Sequence, residues 1–457
     1  MTSSTGGTPS RPALPKEPLL SFLLASSTAL ICQSVQAQVT AGGGQTVEIT
    51  QQQATCNAAV CFVARDQGSL LYANADTPID VTVPNGQPEG GPLHAGVQAR
   101  DGGTVRLDGG GTIRVGRAGW GVLAGPFTPS TIAAIGLTLD IASESVGIAA
   151  YPGSTITLDG TTTLTGRDSA LAGLWAQNAT VTLNGPLQAS GDLSAIARAE
   201  PAGIIDLRGG GSIAVMGSAG TIFSSSGGRI SMRGMTVRAD TNTAFGTSLF
   251  LSNTDKSAFT VTDSTFEGVN AGGLLNGLYA FNPINATALT LDNSQIKLNS
   301  AGTGLLVEGS YADVTLSRGS AITAFASNRG GLLARIAGFG GVTPDRGKLT
   351  LKAQDSTLSG NVQVEASGEA GVNEFGLRLD GSALWRGNVT VGRGSRSSVA
   401  IAGTSRWIGS ANNATTVVLS SANALWAIPG GGNSTVSGTV KNAGKIAFQA
   451  GGPTTLT

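Results

Sequence analysis

One six-residue pattern recurs along this chain and limits what the chain can fold into. Its clearest copy is Ser-Thr-Ile-Thr-Leu-Asp at residues 154–159, where apolar residues alternate with Thr. Near-copies lie at residues 179–184, 287–292, 312–317 and 347–352. The alternation is typical of a short strand with one buried face and one wet face. Because one such strand cannot bury its apolar face alone, only stacked copies complete a core, and the repeat predicts a solenoid.

The spacing of the repeat indicates the kind of solenoid. The sequence Val-Arg-Leu-Asp-Gly-Gly-Gly-Thr-Ile at 105–113 returns as Ile-Asp-Leu-Arg-Gly-Gly-Gly-Ser-Ile at 205–213, about four turns of roughly 25 residues later. Such a turn accommodates three short strands. We therefore predict an all-β fold, a right-handed single-stranded parallel β-helix with about 25 residues per coil. The expected strand centres lie near Val105, Ile132, Ile156, Val181, Ile205, Ile230, Thr260, Leu289, Val314 and Leu349.

Composition agrees with this fold and excludes some partners. The chain has 457 residues, of which 68 are Gly, and only 12% are charged, with a formal net charge of zero. The absence of a basic stripe argues against a nucleic-acid partner. The low charge also argues against disorder, which normally combines high charge with low hydrophobicity.

The chain divides into four segments. Arg11 and Lys16 precede an apolar run at 19–31 and the tripeptide ending at Ala37, so residues 1–37 are interpreted as a secretory signal peptide cleaved after Ala37. Residues 38–101 are less regular and are interpreted as an N-terminal cap with the first coils. Residues 102–380 are interpreted as the regular β-helix, and residues 381–457 as C-terminal β-helix coils that contain Trp.

Two cysteines remain after removal of the signal peptide. Cys56 and Cys61 are separated by four residues. In a secreted chain this pair is expected to form a small disulfide loop, and the neighbourhood offers too few further ligands for a metal site.

Three tryptophans follow small polar turns in the last segment, at Trp385, Trp407 and Trp426. The regular repeat predicts that these side chains stack on one another in the core. Sugar binding by exposed aromatic rings is the alternative.

With its secretory leader, long β-helix and Trp-bearing coils, the chain resembles the pertactin-like passenger domains of bacterial autotransporters. Residues 435–448 look like the end of such a passenger. The resemblance implies export through an outer-membrane translocator barrel and a non-enzymatic role as a surface or secreted adhesin. The implied partners are receptors or glycans on host or neighbouring cells. The chain departs from the family by stopping at Thr457 without barrel strands, which fits a truncated, split or fragmentary product. The barrel is a partner if it is encoded elsewhere, and the expected location is periplasmic if no barrel is available.

Parallel β-helices also include polysaccharide lyases and glycosidases, so catalytic residues have to be considered. The chain has a single histidine, His94, and no Gly-x-Ser-x-Gly motif, which argues against a Ser-His-Asp site. Acids that close repeat turns, such as Asp159, Asp292 and Asp380, fit turn capping better than catalysis. No catalytic residue, cofactor or metal ligand is therefore assigned. An extracellular carbohydrate-active enzyme, or an inert truncated fragment, remains the alternative function.

Longer steps in the repeat indicate insertions, which in a solenoid become loops on one face. We expect the segments at 270–284 and 335–345 to carry binding. The last coil is expected to present an unpaired edge that promotes dimerisation or aggregation.

Overall fold

A computed structural model describes residues 37–50, 53–56, 60–86, 94–125, 128–216, 220–240, 247–254, 256–269, 275–281, 286–299, 302–324, 332–338, 346–367, 371–430, 433–449 and 455–457. These residues form strands and turns but no helix, and therefore no helical segment that could cross a membrane. The strands build three large parallel sheets, here called A, B and C, in which every third strand along the chain is a neighbour. The predicted parallel β-helix is confirmed, with about 26 residues per turn.

Sheet A has 15 strands. In chain order they are β1 (Ala37–Ala41), β4 (Val60–Arg65), β7 (Ala95–Arg100), β10 (Trp120–Ala124), β13 (Val146–Ala150), β16 (Ala172–Ala176), β19 (Ala197–Ala199), β22 (Thr221–Ser226), β25 (Thr247–Thr254), β28 (Leu275–Phe281), β31 (Thr303–Glu308), β34 (Leu332–Ala337), β37 (Asn361–Val364), β40 (Val389–Val391) and β43 (Ala411–Asn412).

Sheet B has 16 strands. They are β2 (Thr46–Glu48), β5 (Leu70–Ala73), β8 (Thr104–Leu107), β11 (Thr131–Ile135), β14 (Thr155–Asp159), β17 (Thr180–Leu183), β20 (Ile204–Leu207), β23 (Arg229–Arg233), β26 (Ala258–Thr262), β29 (Ala286–Asp292), β32 (Tyr311–Ser317), β35 (Lys348–Gln354), β38 (Glu374–Asp380), β41 (Arg396–Ile401), β44 (Ala414–Leu419) and β47 (Val436–Asn442).

Sheet C also has 16 strands, and a small two-stranded sheet pairs β46 (Asn433–Ser434) with β49 (Thr455–Leu456). The strands of sheet C are β3 (Gln53–Thr55), β6 (Ile79–Val83), β9 (Gly111–Val115), β12 (Leu137–Ile141), β15 (Thr162–Ala170), β18 (Leu187–Leu193), β21 (Gly211–Met216), β24 (Met235–Asp240), β27 (Thr265–Val269), β30 (Gln295–Leu298), β33 (Ala321–Ala324), β36 (Thr357–Ser359), β39 (Leu384–Arg386), β42 (Arg406–Ile408), β45 (Leu425–Ile428) and β48 (Lys445–Phe448).

The six-residue repeat supplies the strands of sheet B. Ile156 pairs with Ile132 on one side and Val181 on the other, and all three side chains are fully buried inside the coil. The same inward column continues through Phe259, while the expected centre Thr260 faces outward beside it. The predicted strand positions are thus confirmed to within two residues.

Single left-handed residues turn the chain from sheet B to sheet C. Asp263, Asn293 and Asp355 have φ values of 50°, 49° and 49°, a region that short polar side chains tolerate better than other non-glycine residues. The following serines point inward and join successive turns, because the Ser264 backbone N–H donates to Ser294 Oγ at 3.1 Å. Turn-closing residues therefore act as corners, as the sequence predicted.

The triple-glycine motif forms the same corner with glycines alone. Gly110 and Gly111 have φ values of 62° and 142°, and Gly210 and Gly211 have 70° and 137°. A Cβ atom on Gly211 would lie 1.9 Å from the carbonyl oxygen of Leu187. The strands that follow, β9 and β21, are four steps apart in sheet C, which confirms the expected four turns.

Sheet A differs from sheet B because both of its faces are covered over several strands. All five residues of β13 and of β16 are buried. Such continuous apolar strands lack the alternation that identified sheet B, so they were not recognised in the sequence. In residues 38–101, interpreted as a cap, β1 to β7 already pair within the same three sheets.

Candidate functional site

Most of the longer connections between strands begin or end at a strand of sheet A. Within the three large sheets, the described strands of B and C are joined by one to five residues. Connections longer than five residues within these sheets all precede or follow a strand of sheet A, and they span 84–94, 125–130, 241–246, 325–331, 338–347 and 365–373. One further connection of this length, 449–454, joins sheet C to the two-stranded sheet. Insertions on a rigid scaffold are where binding residues commonly lie. The outer face of sheet A is therefore the candidate binding face.

The first half of that face carries an aromatic patch, defined as Trp120, Tyr151, Trp175, Arg198 and Glu200. The ring centroid of Trp120 lies 5.8 Å from that of Tyr151 and 6.0 Å from that of Trp175. The Arg198 guanidinium lies 4.8 Å over the Trp175 ring and pairs with Glu200 at 2.9 Å. Burial raises the pKa of the Tyr151 phenol, and the Glu200 charge adds to this effect while Arg198 opposes it.

The aromatic patch sits on a small second core outside the coil. Trp175 is 3% exposed and packs with outward-facing apolar residues such as Leu123. Two buried polar atoms here, Trp175 Nε1 and Gln98 Oε1, have no hydrogen-bond partner among the described residues. Buried polar groups normally have hydrogen-bond partners, so these two atoms are exceptions on the outer side of the sheet.

The second half of the face carries a polar cluster, defined as Tyr279, Phe281, Glu308, Arg335 and Glu365. The Tyr279 hydroxyl donates to Glu308 Oε2 at 2.9 Å, and its ring stacks on Phe281 with centroids 5.0 Å apart. Arg335 Nε donates to Glu365 Oε1 at 2.8 Å, while its Nη1 lies 3.9 Å from Glu308 Oε1. One guanidinium thus bridges two carboxylates two strands apart.

The two segments expected to carry binding both contribute to the polar cluster. Tyr279 belongs to the segment 270–284 and Arg335 to the segment 335–345, and both contact Glu308. Residues 270–274, 282–284 and 339–345 of these segments lie outside the described residues. The sequence did not single out Glu308, because its position became apparent only from the pairing of β31 with β28 and β34.

The three C-terminal tryptophans lie inside the coil and not on its surface. Trp385, Trp407 and Trp426 are fully buried and pair with one another on β39, β42 and β45. Their ring centroids are 4.9 and 4.7 Å apart. Each indole N–H donates to a glycine carbonyl of the preceding turn at 2.8–3.0 Å.

The remaining residues singled out in the sequence occupy the N-terminal turns. Cys56 and Cys61 are joined by a disulfide, and both are buried at the entry to β4. Ala37, the expected cleavage position, is the first residue of β1, and the rest of the expected signal peptide lies outside the described residues. The His94 carbonyl accepts a hydrogen bond from the Trp120 N–H, and its Nδ1 atom is buried without a hydrogen-bond partner among the described residues.

The turn-closing acids are engaged by neighbouring side chains. Asp159 accepts a hydrogen bond from Asn184 Nδ2 at 2.9 Å. The guanidinium of Arg318 lowers the pKa of Asp292, and that of Arg378 lowers the pKa of Asp380. A glycosidase acid requires a raised pKa, so neither Asp292 nor Asp380 fits that role. Among the described residues, no three His, Cys, Asp or Glu side chains are grouped as a metal site would require.

No family model matches the sequence, and no curated protein is significantly similar to it.

Proposed function

We propose that the chain is an exported, autotransporter-type passenger that acts as a binding rod at the cell surface or in the surrounding medium. Its contact surface is the outer face of sheet A, and its partners are receptors or glycans on host or neighbouring cells. A translocator barrel carries it across the outer membrane. The observation that carries this proposal is that, within the three large sheets, every connection longer than five residues begins or ends at a strand of sheet A.

The β-helix supplies the stiffness that such a role needs. Sixteen stacked strands at about 4.8 Å per turn give a rod on the order of 70 Å long. Backbone hydrogen bonds run along the rod through all three sheets. A rigid support lowers the entropy cost of presenting several contacts at once, which favours multi-site attachment.

The side chains of the polar cluster suit recognition of a partner surface. Tyr279, Arg335 and Glu308 combine an aromatic ring, a planar cation and a carboxylate, and Tyr and Arg are enriched among residues that dominate binding energy. The side chain of Arg335 is 30% exposed and that of Glu365 is 35% exposed, so both remain accessible from outside.

Two measurements test the proposal. A fusion of residues 38–457 to a translocator barrel in a Gram-negative host should expose the chain to added protease on intact cells. The purified chain should bind cultured epithelial or bacterial cells, and the double variant Tyr279→Ala/Arg335→Gln should reduce binding at least about tenfold, the effect of losing one strong contact.

The matched control is Thr260→Ala/Lys297→Gln, which removes similar groups from exposed positions on sheets B and C at a similar height of the rod. This control should bind like the parent. Equal losses in both variants, or no binding to any cell panel, would contradict sheet A as the contact surface.

A further inference from the structure

The charge of the chain is unevenly distributed along its length. Residues 346–457 contain ten Lys or Arg and five Asp or Glu, out of 28 of each class in the whole chain. The last quarter is therefore positive and the preceding part is negative, although the sum is zero. Because the coil advances along its axis, the positive charge lies on the turns from β35 onward.

A groove runs along the outer face of sheet B within these positive turns. Two adjoining depressions of about 260 and 250 Å³ share Lys348 and Thr350 and are open to solvent. Their floor is one column of paired residues across β32, β35, β38, β41 and β44, or roughly 20 Å along the axis. The column consists of Asp313, Thr350, Gly376, Ser398 and Thr416, and we call this region the sheet B groove.

Gly376 leaves the middle of the groove open, although the backbone conformation at this position does not require glycine. Its φ is not in the positive range, and a Cβ atom placed there would meet nothing closer than the Leu349 carbonyl oxygen at 3.9 Å. Glycine inside a strand weakens it and often marks a place where another molecule approaches closely. A side chain at this position would therefore occupy only space outside the coil.

Columns that contain cations flank the floor on both sides. On one side the lining residues Lys348, Glu374 and Arg396 form a column, in which Lys348 Nζ pairs with Glu374 Oε2 at 3.1 Å. On the other side, beyond the lining of the two depressions, Lys352 is the strand partner of Arg378, which forms an ion pair with Asp380 at 2.8 Å. Within the described part of the chain, Arg396 and Lys352 have no carboxylate within ion-pair distance. These two charges are therefore left for a ligand.

We propose that the sheet B groove binds an acidic polysaccharide, bearing carboxylate or sulfate groups, that lies along the axis of the rod. Arg396 and Lys352 hold the acidic groups, since guanidinium and ammonium groups form strong charge-assisted hydrogen bonds with them. The hydroxyls of Thr350, Ser398 and Thr416 meet ring hydroxyls. Asp313 ends the positive stretch and repels acidic groups beyond it.

The floor favours a saccharide over a nucleic acid. Single-stranded nucleic acids bind through aromatic platforms on which bases stack, together with a strongly positive groove. The floor here consists of hydroxyls, one glycine and one carboxylate, and the aromatic ring of Tyr311 at its end is covered by Arg346 at 5.4 Å. A flat array of hydroxyls matches a sugar chain better than it matches bases.

The test measures binding of heparin and polygalacturonate fragments to purified residues 38–457 at low salt by calorimetry. The two fragments separate sulfate from carboxylate recognition, and dextran and single-stranded DNA serve as neutral and non-saccharide probes. The parent should bind at least one acidic saccharide, and it should bind DNA at least about tenfold more weakly. The variant Lys352→Gln/Arg396→Gln should weaken saccharide binding at least about tenfold, as expected for two lost charge-assisted contacts.

Gly376→Gln separates groove binding from general charge attraction, because it fills the floor and changes no charge. It should weaken binding about as much as the double variant, with unchanged far-ultraviolet circular dichroism. The charge-matched control, Arg106→Gln/Arg229→Gln, removes two exposed cations of sheet B outside the groove and should bind like the parent. Full binding by Gly376→Gln, an equal loss in the control, or DNA binding as tight as saccharide binding would each overturn the proposal.

This inference goes beyond the proposed function, because it concerns a different face of the rod and uses the purified chain. The sheet A variant Tyr279→Ala/Arg335→Gln should leave saccharide binding unchanged. Failure of cell attachment through sheet A and failure of the sheet B groove are therefore distinguishable.

Discussion

Trp385, Trp407 and Trp426 place three large rings directly above one another in the narrow interior of the last turns. The planes of neighbouring rings differ by 9° and 1°, and each ring lies within 5 Å of the next. Since each indole N–H is also satisfied by a glycine carbonyl, these side chains combine a large buried area with no unpaired polar atom. The ladder is a packing feature of the coil interior.

Removing the middle ring should weaken the last turns strongly. Trp407→Ala deletes both stacking contacts and leaves a cavity, so we expect a loss of about 3–5 kcal/mol in the free energy of unfolding. Urea unfolding, monitored by circular dichroism, measures this loss. Thr260→Ala, at an exposed position, should change the free energy by less than about 0.5 kcal/mol. A small effect of Trp407→Ala would mean that the rings do not support the coil.

The ion pair between Asp292 and Arg318 should contribute to the decrease in the free energy of unfolding at acidic pH. Arg318, with help from Ser317, lowers the pKa of Asp292 below its ordinary value of 3.8. A carboxyl group with a lowered folded-state pKa contributes stability above pH 3.8, and this contribution is lost as the pH falls through the lower folded value. In Arg318→Gln, unfolding free energies should therefore fall less steeply below about pH 4. The effect is small, because the pair is exposed to solvent.

The control for this titration is Arg106→Gln, which removes a similarly exposed arginine whose partner is Asp108. If the free energy of unfolding depends on acidic pH in the same way in the parent and in Arg318→Gln, this would contradict the role assigned to Arg318.

The corners between sheets B and C show why some elements were visible in the sequence. Most of these corners contain one or two residues with positive φ, so Asp, Asn and Gly recur there at the period of the coil. Corners with positive φ also follow many strands of sheet A, but its strands are short apolar runs without the alternation that marks sheet B. The strands of sheet B could thus be located from the sequence, whereas those of sheet A could not.

Two glycines in different settings test this account of the corners. Gly211 has a φ of 137° and no room for a Cβ atom, so Gly211→Ala should destabilise the chain by at least about 2 kcal/mol. Gly376 lies in a strand with open space outside it, so Gly376→Ala should be neutral or stabilise by up to about 1 kcal/mol. Thermal unfolding of both variants measures the difference. Similar losses in both would show that the corner does not require glycine.

The whole rod has unlike charges towards its two ends. Residues 1–345 contain 18 Lys or Arg and 23 Asp or Glu, whereas the last quarter has an excess of five positive charges. Long-range attraction between such ends is strong at low ionic strength and is screened within about 8 Å at physiological salt. The electrostatic contribution to association should therefore depend on salt.

Sedimentation velocity tests this expectation. At about 10 mM salt the purified chain should form larger species by head-to-tail contact, and at about 300 mM salt these should dissociate. Lys352→Gln/Arg396→Gln should shift the transition to lower salt. Association that does not weaken with salt would contradict electrostatic contact and would favour the pairing of an unpaired strand edge expected from the sequence.

The amino-acid pattern was enough to predict the β-helix, its approximate period and the inward column of sheet B. This was possible because alternation, corner residues and turn length are local properties that repeat in most coils. Which outward residues meet became apparent only from the three-dimensional arrangement of the turns. Successive turns differ in length, so a fixed period does not reveal that Glu308 lies between Tyr279 and Arg335, or that Gly376 lies between Thr350 and Ser398. Surface neighbours in a solenoid come from adjacent turns, and their register is set by strand pairing and not by distance along the chain.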